Sequence, residues 1–232
     1  MKTNSDTYVM LLTSLPRPGP LFIAKRPPLS RLKLEQRLRV LTPEDAEKLS
    51  LIEKVLSWSL LPLGASEEDV LNRSQKAMEQ LEDKTLRDIV KTRLEIRTCV
   101  AALRRRERGE PAPTANTVWG FGGKVGRIAA SWAKPGFGMD AAFPWIQQAG
   151  TCLQNGDALA LERLLLEQAY RNLDRYAGFH IFDFVAVAIY VLKWGILDRW
   201  ARYDADIAKE RFGSLVLAGL GSFAHISFEK ES

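Results

Sequence analysis

The sequence contains few of the residues from which catalytic and metal sites are built. Among its 232 residues there are two cysteines, Cys99 and Cys152, and two histidines, His180 and His225. Neither cysteine belongs to a Cys-x-x-Cys pair, which argues against a structural zinc site or an iron–sulfur cluster and favours a reducing compartment. His180 and Asp183 are one helical turn apart, but two ligands do not make a metal site. We expect neither a metal nor a cofactor.

The glycine-rich segment that contains Lys124 does not complete a known phosphate-binding motif. Lys124 is followed by Val125 instead of Ser or Thr, and Val118 stands where a P-loop has its first glycine. Val125 also occupies a glycine position of the dinucleotide-binding fingerprint, and the chain has no Gly-x-Ser-x-Gly elbow. We therefore expect these glycines to form tight turns around Trp119 and Phe121, and we expect a protein that is not an enzyme.

Long hydrophobic runs are also lacking. The most apolar stretches, 184–192 and 215–220, are shorter than the roughly 20 residues that a membrane-spanning helix requires. The apolar stretch 8–12 follows Asp6 and lacks an Ala-x-Ala cleavage site, which is not typical of a signal peptide. With 46% hydrophobic and 26% charged residues, the composition is that of a soluble globular protein. We expect a cytoplasmic protein that reaches the inner membrane only through a protein complex.

Positive charge is in slight excess and is concentrated in one place. The chain has 33 Lys and Arg against 28 Asp and Glu, a formal net charge of +5. The densest cluster is Arg104, Arg105, Arg106 and Arg108. Such a cluster usually lies at a solvated helix end, where cations interact favourably with the helix dipole. The alternative is a basic helical protein that binds RNA or DNA through these arginines.

Hydrophobic periodicity predicts an all-α protein. Ser30, Thr42 and Asp157 are helix-capping residues that stand before apolar runs with helical spacing. The segment 8–15 is read as a short extended piece because it leads into a run of prolines. The spacing predicts helices over residues 30–41, 42–60, 66–81, 85–108, 123–133, 157–176 and 182–206.

These elements predict an irregular multi-helix bundle with a short extended N-terminal segment and a glycine- and aromatic-rich loop region in its middle. Gly109 to Pro113 ends the fourth helix and marks the best candidate boundary. We expect helical subdomains at 1–110 and 111–232, either separate or joined in one continuous domain.

Arginines occupy the apolar face of the fourth predicted helix. At about 100° per residue, Arg93 and Arg97 share a stripe with Leu86 and Val90. An isolated charge in a helix seam costs several kcal/mol, so we expect carboxylates from other helices to pair with both arginines. The candidates for such buried ion pairs are Arg93, Arg97, Glu162 and Asp183. The alternative is that some of these residues face a groove and bind a partner helix.

Five segments carry a resemblance to known proteins: 8–16 (YVMLLTSLP), 38–45 (LRVLTPED), 93–98 (RLEIRT), 161–166 (LERLLL) and 182–194 (FDFVAVAIYVLKW). Together they resemble an uncharacterised bacterial family whose genes lie beside those of V-type ATPase subunits. The stretch 183–212 is also similar to the helices of the C subunit of V/A-type ATPases, whose eukaryotic counterpart is the d subunit. That protein is an all-helical funnel that sits on the membrane ring and receives the tip of the rotating central stalk.

The resemblance implies a non-catalytic accessory, coupling or assembly subunit of a bacterial V-type ATPase, with the central stalk or the membrane ring as its partner. Such a protein would bind through an apolar groove or through a few aromatic and arginine anchors. The expected interface residues are Trp119, Phe121, Trp132, Trp145, Arg105, Arg106 and Arg108.

Overall fold

The computed structural model describes residues 4–24, 26–56, 67–114 and 117–223. Within these ranges the protein contains nine α-helices and no strand, which confirms the all-α multi-helix fold. A short 3-10 turn at Pro135–Gly138 lies between the sixth and seventh helices. The helices are α1 (Asn4–Ser14), α2 (Arg31–Leu38), α3 (Pro43–Leu56), α4 (Glu67–Gln80), α5 (Lys84–Glu107), α6 (Val125–Ala130), α7 (Ile146–Gln154), α8 (Ala158–Ala177) and α9 (Phe184–Phe223).

Several helix ends follow directly from capping residues. The side chains of Ser30, Thr42, Asp83 and Asp157 each accept a hydrogen bond from the backbone N–H three residues later, at 3.4, 3.2, 2.9 and 2.8 Å. Each bond satisfies one of the N–H groups that the first helical turn leaves without a partner. At the other end of α5, Gly109 has φ +76°, a conformation that glycine adopts readily and that stops the helix.

The N-terminal segment is helical, so the expectation of an extended piece at residues 8–15 was wrong. Tyr8 and Leu11 are buried along one side of α1, Leu15 is buried just after its end, and all three belong to the hydrophobic core. The Thr13 and Ser14 hydroxyls donate to carbonyls four and three residues earlier, both at 2.7 Å. These polar side chains are therefore satisfied within the helix, and the burial of one apolar stripe outweighs the weak helical preference of the segment.

Other boundaries differ more modestly from the prediction. Helix α7 lies in a stretch for which no helix was predicted. The helix expected over 123–133 is the shorter α6. The predicted helix over 42–60 corresponds to α3, and its residues 57–60 lie outside the described residues. The start predicted at Ser66 also lies outside them.

The first part of α9 passes through the middle of the bundle, as its all-round apolar character predicts. Val187, Ala188 and Val191 have at most 1% of their surface exposed. The backbone of α9 continues to Phe223, well beyond the end expected near residue 206. Across the ranges given above, no helix combines the length and the apolar character needed to cross a bilayer.

The buried side chains form two clusters that meet along two long helices. The first cluster joins α1, α2 and α3 to the start of α5, the end of α8 and α9. The second cluster joins α6, the 3-10 turn and α7 to the end of α5 and the start of α8. On α5 the change of cluster falls between Leu94 and Ile96, and on α8 it falls between Leu164 and Leu166. The clusters therefore do not divide at residue 110, because α5 contributes to both.

Candidate functional site

An open groove of about 760 Å³ lies between α3, α5, α8 and α9. Most of its lining is apolar and includes Leu56, Ile89, Ile96, Leu173, Leu192 and Trp194. The cations in its lining outnumber the acids: Arg31, Lys54, Arg93, Arg199 and Arg202 face Glu53 and Asp198. We call this site the Arg93 groove.

Helix α5 places Arg93 in the wall of the groove. Ile89, Arg93 and Ile96 follow one another at four- and three-residue intervals, so they share one face of α5. Ile89 and Ile96 are buried, whereas Arg93 keeps part of its surface exposed. The helical wheel had placed Arg93 on an apolar face, and the structure confirms that position.

The acids around the groove are already engaged by other arginines. The three ion pairs, with N···O distances of 2.7, 2.5 and 2.8 Å, are Arg31–Glu53, Arg199–Glu162 and Arg202–Asp198. Arg31 also lies over the ring of Trp194, 5.6 Å from its centroid. The indole N–H of Trp194 donates to the Leu29 carbonyl at 2.8 Å and so fixes the ring at one end of the groove.

Arg93 makes neither a hydrogen bond nor an ion pair with any residue that the structure describes. The carboxylate partner expected for Arg93 is not found among the described residues, and Glu162, one of the candidate acids, binds Arg199. Burial lowers the pKa of Arg93 to about 10, repulsion from Arg199 acts in the same direction, and the Glu162 charge opposes both effects. The groove thus holds a cation that none of the described carboxylates contacts directly.

Arg97, one turn further along α5, closes the end of α3. Its guanidinium donates to the backbone carbonyls of Val55 at 2.6 Å and Leu56 at 3.2 Å. Carbonyls in the last turn of a helix lack intrahelical partners and attract cations. Burial, followed by repulsion from Arg93 and Arg199, lowers the pKa of Arg97 to about 10. The described contacts of Arg97 are therefore with carbonyls, where carboxylates had been expected.

Asp183, the fourth candidate for a buried ion pair, caps a helix instead. Its Oδ1 accepts a hydrogen bond from the N–H of Ala186 at 2.8 Å, at the start of α9. Its Oδ2 lies 2.6 Å from Nδ1 of His180, whose Nε2 is 3.2 Å from the Thr85 hydroxyl. This chain of contacts connects the α8–α9 loop to the start of α5. In the part of the chain that the structure describes, no three potential metal ligands come together.

Among the ion pairs of the described residues, the most buried carboxylate is that of Glu95, which the sequence had not singled out. Glu95, with 7% of its side chain exposed, accepts a bond of 2.7 Å from Nζ of Lys124. Lys124 lies in the glycine-rich segment, where Gly120 and Gly122 have positive φ values of 63° and 93°. The expectation that these glycines form tight turns is confirmed, and the turns bring Lys124 onto α5.

The four aromatic residues expected at an interface contribute to the interior of the protein. Trp119 and Trp145 are only 4% and 6% exposed, so neither presents a surface to a partner. Trp132 donates its indole N–H to the backbone of the same chain and packs against Trp119, with ring centroids 6.3 Å apart. Phe121 packs against the first cluster. The interface prediction is therefore corrected for Trp119 and Trp145, whereas for Trp132 and Phe121, which are only partly buried, it stays a prediction.

The arginine cluster at the end of α5 is also used within the chain. Arg105 and Arg108 form ion pairs with Glu110 at 3.6 and 2.6 Å. The guanidinium of Arg106 lies 4.5 Å from the centroid of the Phe137 ring. These contacts hold the central segment against α5. Arg108 keeps 61% of its side chain exposed, so a docking surface at these arginines stays a prediction.

The groove residues on α9 and α2 were missed by sequence reasoning. On α9, a polar stripe at Asp198, Arg199 and Arg202 interrupts the apolar helix with helical spacing. This stripe was the available signal for a groove. Arg31 gave no such signal, because its place beside Trp194 depends on how distant helices pack.

No protein-family model, curated protein or solved structure matches this chain. A functional proposal therefore draws on the Arg93 groove and on the resemblance carried by the sequence segments.

Proposed function

We propose that this protein is a non-catalytic accessory, coupling or assembly subunit of a bacterial V-type rotary ATPase and that it acts by binding another subunit. The observation that carries the proposal is the Arg93 groove. An open, mainly aliphatic groove between helices is the kind of surface that receives a partner helix. The groove adds a fixed positive charge at Arg93, which would select among such helices.

The link to a V-type ATPase is supported by where the resembling segments lie. The segment 93–98 contributes Arg93 and Ile96 to the groove, and the segment 182–194 contributes Val191, Leu192 and Trp194. Two of the stretches that resemble the ATPase-associated family thus line the same groove. This coincidence favours the groove as the surface through which such a protein would act.

Nucleic-acid binding through Arg104–Arg108 has weaker support. Phosphate contacts need guanidinium groups that are free to face the backbone of RNA or DNA. Arg105 and Arg106 instead lie against aromatic rings of the same chain, at 5.8 and 4.5 Å from the ring centroids. We therefore advance no second function.

The proposal is tested by co-purification from native membranes. The tagged protein, expressed at its natural level, is isolated after nuclease treatment, and the co-purified proteins are identified by mass spectrometry. We expect V-type ATPase subunits in stoichiometric amounts, absent from a tag-only control. A preparation that contains none of these subunits would overturn the proposal, and RNA or DNA that co-purifies in a parallel preparation without nuclease would favour the nucleic-acid alternative.

A further inference from the structure

The Arg93 groove has the dimensions of a short helical segment. An α-helix about 10 Å across rises about 5.4 Å per turn, so one turn fills roughly 400 Å³. A groove of about 760 Å³ accordingly has room for about two turns. The long helices α5, α8 and α9 form its walls, so a guest helix would lie against helical surfaces.

The walls determine which kind of helix fits. Ile89, Leu173 and Leu192 are apolar and offer no hydrogen bonds from their side chains. A guest must therefore present an apolar face to avoid leaving its own polar groups without partners. A small, strongly hydrated anion would gain little from these aliphatic walls.

The charges specify one further feature of the guest. Arg93 makes no hydrogen bond or ion pair among the described residues, whereas each acid near it already binds another arginine. Lys54 is a further cation of the lining, and Glu53 beside it is already bound to Arg31. A guest with no charge would leave Arg93 more deeply desolvated, with nothing to offset the lost solvation. A guest carboxylate would bind the guanidinium through two parallel hydrogen bonds.

We propose that the Arg93 groove receives an amphipathic helix of a partner protein that carries an Asp or Glu within its apolar face, and that this carboxylate pairs with Arg93. The inference rests on the proposed function, because it identifies the chemistry of the segment that the ATPase would contribute. It assigns Arg93 a binding role that the stability of the isolated protein does not require.

The first test compares two variants in the co-purification described above. Arg93→Gln removes the Arg93 charge from the groove, and the matched control Arg104→Gln removes an exposed charge on the same helix. We expect the partner protein to be reduced at least about tenfold with Arg93→Gln and less than about twofold with Arg104→Gln. Circular dichroism and thermal unfolding of both purified variants check that each is folded.

The second test identifies the carboxylate. Overlapping synthetic peptides that cover the helices of the co-purified subunits are measured for binding by fluorescence anisotropy. In the peptide that binds, replacing its apolar-face Asp or Glu by Asn or Gln should weaken binding as much as Arg93→Gln does. Combining both changes should add little further loss, because they remove the same interaction.

The outcomes separate the two proposals. Absence of all ATPase subunits from the wild-type preparation overturns the proposed function. Recovery of the subunits in equal amounts with wild type and Arg93→Gln leaves the proposed function in place and overturns the inference. Displacement of the bound peptide by millimolar inorganic phosphate would also overturn it, because the groove would then be an anion site rather than a helix site.

Discussion

Arg199 on α9 binds Glu162 on α8, with 2.5 Å between Nε and Oε1. The pair joins the two helices at the edge of the Arg93 groove. Both members of the pair also act on Arg93. The Glu162 charge favours the ionised form of Arg93, whereas the Arg199 charge disfavours it. Arg93 is therefore a cation in surroundings that, on balance, disfavour its charged form. Binding sites often contain such groups, because the interaction that would relieve them comes from the partner.

Replacing Arg93 by Met should stabilise the isolated protein. The apolar side chain keeps much of the volume of the arginine stem and removes a desolvated charge that no described carboxylate contacts. We expect the free energy of unfolding, measured by urea denaturation, to rise by about 1 kcal/mol. The control Arg104→Met should change it by less than about 0.5 kcal/mol. A loss of about 1 kcal/mol or more in Arg93→Met would show that Arg93 has a structural role instead.

Lys124→Met should destabilise the protein. The substitution leaves the buried carboxylate of Glu95 without its cation. Because part of Lys124 is exposed to solvent, the pair is not completely buried. The expected loss is about 2 kcal/mol, below the full cost of breaking a completely buried pair. Lys134→Met, at an exposed side chain nearby, serves as the control. Adding Glu95→Gln to Lys124→Met should restore part of the loss, and full additivity of the two changes would contradict the pairing.

Two glycines of the same segment should respond differently to alanine. At Gly120, φ is +63° and a Cβ would lie 2.5 Å from Cγ2 of Thr98. The strained backbone conformation and the steric overlap should together lower the free energy of unfolding of Gly120→Ala by about 2–4 kcal/mol. At Gly123 a Cβ meets no atom within 4 Å, so Gly123→Ala should leave the thermal midpoint almost unchanged. Equal midpoints for both variants would mean that the turn does not hold Phe121 against Thr98.

The buried thiol of Cys99 should make stability fall at alkaline pH. Burial, with a smaller contribution from the Glu95 charge, raises the pKa of Cys99 from 9.0 to about 12. The folded state therefore holds this proton more tightly than the unfolded state. The resulting stabilisation is complete below about pH 9 and is lost as the pH rises towards about 12.

Cys99→Ala lacks this titration and provides the comparison. The difference in unfolding free energy between wild type and Cys99→Ala should shrink between about pH 8 and about pH 10.5, as measured by urea denaturation. A difference that stays constant over this interval would contradict the buried position of the thiol.

Local sequence was sufficient for the helices whose ends depend on capping. Ser30, Thr42 and Asp157 act on N–H groups three residues away, so the information lies within one turn. It was insufficient for α1, because its helical form depends on Tyr8 and Leu11 packing in the core cluster that also contains α9 residues. The pairing of charges around the Arg93 groove was harder to predict from the sequence than any helix. Glu162 and Arg199 are 37 positions apart, and only the packing of α8 against α9 decides that Glu162 pairs with Arg199 and not with Arg93.

The most direct measurement places a photo-crosslinking amino acid in the Arg93 groove of the otherwise intact protein and irradiates native membranes. Position Leu192 lines the groove, and the exposed position Val40, which is not among the groove residues, is the control. We predict that Leu192 crosslinks to a V-type ATPase protein, within a helix that carries an acidic residue on its apolar face, and that Val40 does not. ATPase crosslinks from Val40 but none from Leu192 would contradict the groove as the binding surface.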